Sequence, residues 1–184
     1  MPFLPDVPSE NFPADLRYAV TTPDGRECRT FNIFHKLVHS PAIFRAVAET
    51  TAMTLGELAL DPVLRELAIC TVARLTGATY PHHRHMEVAK RVGIDAAKLL
   101  ALPVYKEHPA FSAQERVVMA AAEELTERFR ISPELKAQLA EFLNYEQRVE
   151  LAWTIGFYNA VARVASACEV EVETVAPEGV AMRR

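Results

Sequence analysis

From Thr30 onward the apolar residues recur at spacings of three and four, the period of helices that turn one stripe toward a core. Phe31, Phe34, Leu37 and Val38 mark a first helix before Pro41. Ile43, Phe44, Val47 and Ala48 carry a second from Pro41 to about Gly56. Asp61-Pro62 reads as an N-cap followed by proline at the first helical position. The helix it opens continues through Leu64, Leu67, Ala68, Cys70, Thr71 and Leu75, and Gly77 ends it. Thr79, Tyr80 and Pro81 start the next, which Gly93 closes as a left-handed C-terminal residue. Asp95 caps a short helix ending before Pro103. Ser112 and Glu115 fit a capping box for a long helix from Ala113 to about Phe129, and Ser132-Pro133-Glu134 caps a further one. A last, strongly apolar helix spans roughly Glu146 to Cys168. Glu169 to Glu173 alternates as a strand would but has no evident partner.

The pattern predicts an all-α fold, a multi-helix bundle of seven or eight helices. Residues 1–25 hold five prolines and no helical period, which predicts an irregular arm that wraps its own core or a neighbouring subunit. Residues 26–168 are expected to form a single helical domain and 169–184 a C-terminal tail. A helix that is apolar around most of its circumference, as the last one is, must be buried on all sides. One modest domain supplies that burial with difficulty, so association into an oligomer is expected.

Composition adds exclusions. The chain has 184 residues, half of them hydrophobic and about a quarter charged, ordinary values for a globular domain with a sizeable core. A net charge of −4 without any Lys/Arg block argues against nucleic acid or an anionic membrane as partner. No apolar stretch approaches the ~18 residues of a membrane span. Met1 to Asp6 lacks the basic region and apolar run of a secretory signal, so a cytoplasmic location is expected. Cys28, Cys70 and Cys168 lie too far apart for a disulfide framework or a CxxC motif and read as free thiols, with Cys28 in a polar segment where exposure is expected.

Candidate chemistry concentrates between Arg65-Glu66 and Tyr80-Pro81-His82-His83-Arg84-His85. From Glu66, the positions Ile69, Cys70, Ala73 and Gly77 fall on nearly one small, apolar helix face. Turned inward, that face would suit Glu66 to general acid–base work. The plain alternative is that Arg65 and Glu66 are surface charges near a helix N-terminus. His82 and His85, three apart, share a face with Cβ atoms ~5–6 Å apart, while His83 points elsewhere, toward solvent. In the first turn His82 meets the positive end of the helix dipole, which keeps it a neutral base or donor. Two histidines and Glu66 could also form a two-His-one-carboxylate metal site, and His35 with His39 a second metal-compatible pair. The sequence does not supply the geometry, and no metal ligand or cofactor is assigned. Cys70 is a nucleophile only if a base lies beside it; its helix-interior position favours a buried, inert thiol. Trp153, Phe157 and Tyr158 read as apolar walls of a pocket or as plain core.

The run Arg65-Glu66-Leu67-Ala68-Ile69, then Thr76-Gly77-Ala78-Thr79-Tyr80, His85, Ala89 and Gly93-Ile94, resembles the carboxymuconolactone decarboxylase and alkyl hydroperoxidase D-like superfamily. The likeness continues through Phe111-Ser112, Glu115 and Glu150 to Asn159, covering about residues 35–168 and leaving the Pro-rich arm outside. The resemblance implies an alkyl hydroperoxidase D-like helical fold assembled as trimers or hexamers, with sites near subunit contacts. The family's peroxidase branch uses a CxxC motif followed four residues later by His, with a Glu on the preceding helix. Matched at His85 and Glu66, the two thiol positions fall on Ala78 and Pro81, so disulfide-based peroxide reduction does not carry over. The decarboxylase branch often has Tyr-Glu-Trp before the His; here Tyr80 is kept, and Pro81 and His82 replace the other two.

Residues and resemblance together point to a lyase or isomerase, without cofactor, acting on a small carboxylated or lactone substrate. His85 would be the principal proton carrier and Glu66 its orienting partner. Tyr80 and His82 would hold or protonate the substrate, and Trp153, Tyr158 and Cys70 would line its site. The rivals are a thiol-dependent hydroperoxidase-like protein using Cys70 with His85, and a non-enzymatic oligomeric binding module.

Overall fold

The computed structural model describes residues 3–21 and 26–174. Eight α-helices follow one another: α1 Asn32–Leu37, α2 Pro41–Gly56, α3 Pro62–Thr76, α4 Thr79–Arg91, α5 Ala96–Leu100, α6 Ala113–Arg128, α7 Pro133–Ala140 and α8 Tyr145–Ala167. Among the described residues there is no strand, only an isolated bridge between Thr21 and Glu27. The alternation over Glu169–Glu173 therefore makes no strand. Its glutamates serve the start of α1 instead: Glu173 Oε1 accepts from the Asn32 N–H at 2.8 Å, and Asn32 Nδ2 donates to the Glu171 carbonyl.

Local chemistry sets the helix ends. The Asp61 carboxylate accepts from the N–H groups of Val63 and Leu64, and Ser112 and Glu115 complete the reciprocal capping box of α6. Gly77 closes α3 at φ 66°, a conformation that L side chains rarely adopt. At the end of α6 the left-handed position is held by Phe129 rather than by a glycine.

The chain divides into two compact units, residues 58–164 and the remainder, so that α8 begins in the first and ends in the second. In the 58–164 unit α3 is the central rod, packed on α4 and α6, with α7 against α6. Every residue from Arg65 to Ala73 is buried. Leu67 and Cys70 of α3 join Ala89, Leu99, Leu102, Phe111 and Met119 in one apolar cluster. Such a helix has no solvent face, which is why its charged pair Arg65-Glu66 must find partners inside.

In the other unit Phe12, Phe34 and Phe44 form an aromatic core, with Phe34 and Phe44 ring centroids 4.9 Å apart. The Pro-rich lead-in, which contains 3₁₀ turns at Ser9–Asn11 and Ala14–Ala19, is tied down onto α1. Lys36 donates to the Leu4 carbonyl, His35 Nδ1 to the Val7 carbonyl and His39 Nε2 to the Pro5 carbonyl. His35 and His39 thus spend a ring N–H each on clamping the lead-in. Cys28, expected to be exposed, is buried because its N–H pairs with the Val20 carbonyl and draws the segment inward. No helix among the described residues is long and apolar enough to cross a membrane.

Candidate functional site

The short connection through Gly77 and Ala78 folds α4 back against α3. Glu66 lies about three turns before that connection and His85 about two turns after it. Their side chains meet, with Nδ1 of His85 2.8 Å from Oε2 of Glu66 in a buried contact. The other carboxylate oxygen, Oε1, accepts from Arg65 Nε at 3.0 Å. Arg65 is 4% exposed and Glu66 fully buried, so the reading of the two as surface charges is overturned.

An ionised carboxylate only accepts, so Nδ1 of His85 donates to Glu66, and in the neutral tautomer that this fixes, the lone pair lies on Nε2. Nε2 has no hydrogen-bond partner among the described residues. Arg65 anchors the far oxygen of Glu66, and Glu66 in turn fixes the ring plane and tautomer of His85. This is the order of groups that a general base requires, with the base oriented by a third group.

Tyr158 of α8 packs against this pair. Its ring stands edge-on to His85, centroids 4.5 Å apart at 80°. The phenol is buried, and burial followed by the charge of Glu66 raises its pKa well above the ordinary value, so it remains protonated. Cys70, one turn along from Glu66, responds in the same way: burial first and Glu66 second push its thiol up. The thiolate that a nucleophile needs is suppressed there.

The other sequence candidates sit differently. Tyr80 is buried in the first turn of α4. His82 is half-buried, and its pKa is lowered by desolvation, then by His83 and Arg74. Burial and the neighbouring His83 and Arg74 thus act in the same direction as the one expected from the helix dipole. His83 is exposed. Trp153 is half-exposed and stacks on Phe157, which meets Tyr158 edge-on. Among the described residues no cluster of three or more His, Cys, Asp or Glu is arranged to hold a metal ion. A cleft of ≈ 560 Å³ in the other unit, lined among others by Arg29, Thr30, Asn32 and Glu171, includes His35 but none of Glu66, Tyr80, His82, His85, Trp153 or Tyr158.

Two features escaped sequence reasoning. Neighbours at i and i+1 do not face each other on a helix, so periodicity gave no sign that Arg65 would bond Glu66. The edge contact of Tyr158 on His85 joins distant helices and leaves no local signal.

Residues 41–124 match the model of the carboxymuconolactone decarboxylase family. The fold matches that of an uncharacterized peroxidase-related protein from Ralstonia eutropha JMP134, an alkylhydroperoxidase AhpD core. The TM-score is 0.78 with 18% identity, over 92% of this chain and 91% of that one. Residues 41–124 carry the likeness to the carboxymuconolactone decarboxylase family, and the fold is AhpD-like. The chain is 30% identical to the uncharacterized protein YnjA of Escherichia coli (strain K12) over 116 residues, 62% of this chain. The matched part spans 63% of YnjA, less than two thirds of its length. A cysteine variant of the debrominase Bmp8 in complex with 2,3,4-tribromopyrrole shares the fold at TM-score 0.70 and 17% identity, covering 77% of this chain and 76% of that one. The family match contains both α3 and α4, and therefore Glu66, His85 and the Gly77 connection; Tyr158 lies beyond it.

Proposed function

We propose that this chain is a lyase or isomerase that moves a proton with His85, needs no cofactor, and acts on a small carboxylated or lactone substrate. The observation that carries the reading is the buried 2.8 Å contact between His85 Nδ1 and Glu66 Oε2, which leaves Nε2 as an oriented base. In the decarboxylation the bond from ring carbon to carboxylate breaks and CO₂ leaves. The electron pair passes into an enolate, and the imidazolium of His85 delivers one proton to carbon before water restores it. In the isomerisation Nε2 takes a proton from carbon and returns it at another position. Tyr80 and His82 hold or protonate the substrate; Trp153, Tyr158 and Cys70 line its approach.

Two observations weigh against a thiol-dependent peroxidase. The positions where that branch carries its thiols are Ala78 and Pro81, and the Cys70 thiol is held protonated by burial and by Glu66. The same reading has the protein acting as a homo-trimer or homo-hexamer. What supports assembly is the outer face of α8, where Tyr145, Val149 and Trp153 are 82%, 69% and 49% exposed at four-residue spacing.

The test is decarboxylation of a panel of β-keto-acid lactones by the parent and by His85→Gln and Glu66→Gln. Loss of the proton carrier lowers turnover by about 10²–10⁴, and Glu66→Gln lowers it less, through the wrong tautomer. Full turnover by both variants on a substrate that the parent accepts rejects the reading.

A further inference from the structure

The side chain of Tyr158 carries one polar atom, and among the described residues that atom is stranded. Its hydroxyl is buried and has no hydrogen-bond partner among the described residues. Buried tyrosine hydroxyls usually find a partner, because the group forfeits its hydration without recovering a bond. Here a strong acceptor lies close by and is already engaged. Both oxygens of Glu66 are taken, one by Arg65 and one by His85. The ring that bears the hydroxyl packs against the imidazole itself. A desolvated O–H is therefore carried on the ring that packs against the base, with no acceptor among the described residues.

We propose that the Tyr158 hydroxyl is the hydrogen-bond donor to the substrate oxygen that gains negative charge. Substrates are then confined to those whose reacting carbon adjoins a carbonyl. The inference rests on the acid–base reading above and adds the electrophilic half of the site. As His85 Nε2 removes a proton from the α-carbon, or as CO₂ departs from it, the released electron pair forms a carbon–carbon π bond. The carbonyl π electrons move onto oxygen. Tyr158 donates to that oxygen without giving up its proton; His85 then protonates carbon and restores the carbonyl, with the proton it removed in the isomerisation or one taken up from water in the decarboxylation. A donor already aimed where charge develops costs no reorganisation during the reaction. Its removal lowers rate by about 10²–10³ in comparable sites.

The probe is the nitronate of nitroethane, a small planar anion with the charge distribution of an enolate. Its binding is measured by calorimetry to the parent and to Tyr158→Phe, which keeps the ring and its contact with His85. Expected are binding by the parent and at least a tenfold weaker binding by the variant. Since no described residue is bonded to the hydroxyl, Tyr158→Phe is also expected to unfold at an equal or higher urea concentration. Equal nitronate affinity in the two proteins, no binding by the parent at millimolar nitronate, or a clear fall in the urea midpoint of the variant each overturns the assignment. The acid–base reading is judged apart, on lactone turnover by His85→Gln. Turnover lost there with nitronate binding intact in Tyr158→Phe removes the donor alone; the converse result removes the proton carrier alone.

Discussion

Arg65 and Glu66 are neighbours in sequence on a helix that has no wet side, and both end up bonded inside the protein. Their burial decides the chemistry of the groups around them. Cys70 feels Glu66 on top of its own desolvation, so its thiolate fraction near neutral pH is negligible. Iodoacetamide applied to the native protein at pH 7.5 should leave Cys70 unmodified, and urea should expose it. Mass spectrometry of the peptide that contains it decides the matter, and rapid native labelling would return the thiol-based rival. His82 makes a prediction about stability. Its folded pKa lies below the ordinary 6.5 because desolvation, His83 and Arg74 oppose the cation. Below pH 6.5 the unfolded chain therefore binds more protons at this position than the folded one, and stability falls as pH drops toward the lowered folded value. His82→Gln should show a smaller drop in urea midpoint between pH 7.5 and 5.5 than the parent; parallel drops would show that His82 contributes nothing.

At the scale of elements, the site depends on how sharply α3 turns into α4. Gly77 holds φ 66°, and a Cβ placed there would meet nothing within 4 Å. The cost of Gly77→Ala is therefore backbone strain alone, about 1–2 kcal/mol for a left-handed L-residue. Gly77→Asn should recover part of it, since Asn tolerates that region. Urea titrations of the three proteins at one concentration measure this. An alanine variant as stable as the parent would mean the connection relaxes into another turn. Caps and turn residues act over four or five positions, and for that reason Asp61, Ser112 with Glu115, and Gly77 were all legible in the sequence. The clamp of His35, Lys36 and His39 on the lead-in was not, because backbone carbonyls of an irregular segment carry no residue-type signature.

At the scale of the whole molecule, α8 is expected to be the seam between copies. A single charge at the centre of its apolar face should open it, since an unpaired charge in an apolar contact costs several kcal/mol. Val149→Lys is thus expected to sediment at monomer mass where the parent sediments as a trimer or hexamer. A parent that is itself monomeric at micromolar concentration, or a variant that stays assembled, would place the contact elsewhere or nowhere.

The sequence by itself determined the helices and their ends, and the missing thiols at Ala78 and Pro81. Each of these is local, set by a period of 3.6 residues, a cap within one turn or the identity of a single side chain. Only the tertiary structure decided that Arg65 bonds Glu66, that His85 rather than His82 takes the second oxygen, and that Tyr158 leans on His85 with its hydroxyl unspent. Periodicity tells which side of a helix is dry. It does not tell which atoms of another dry helix come within 3 Å, because that is settled by close packing between segments remote in the chain.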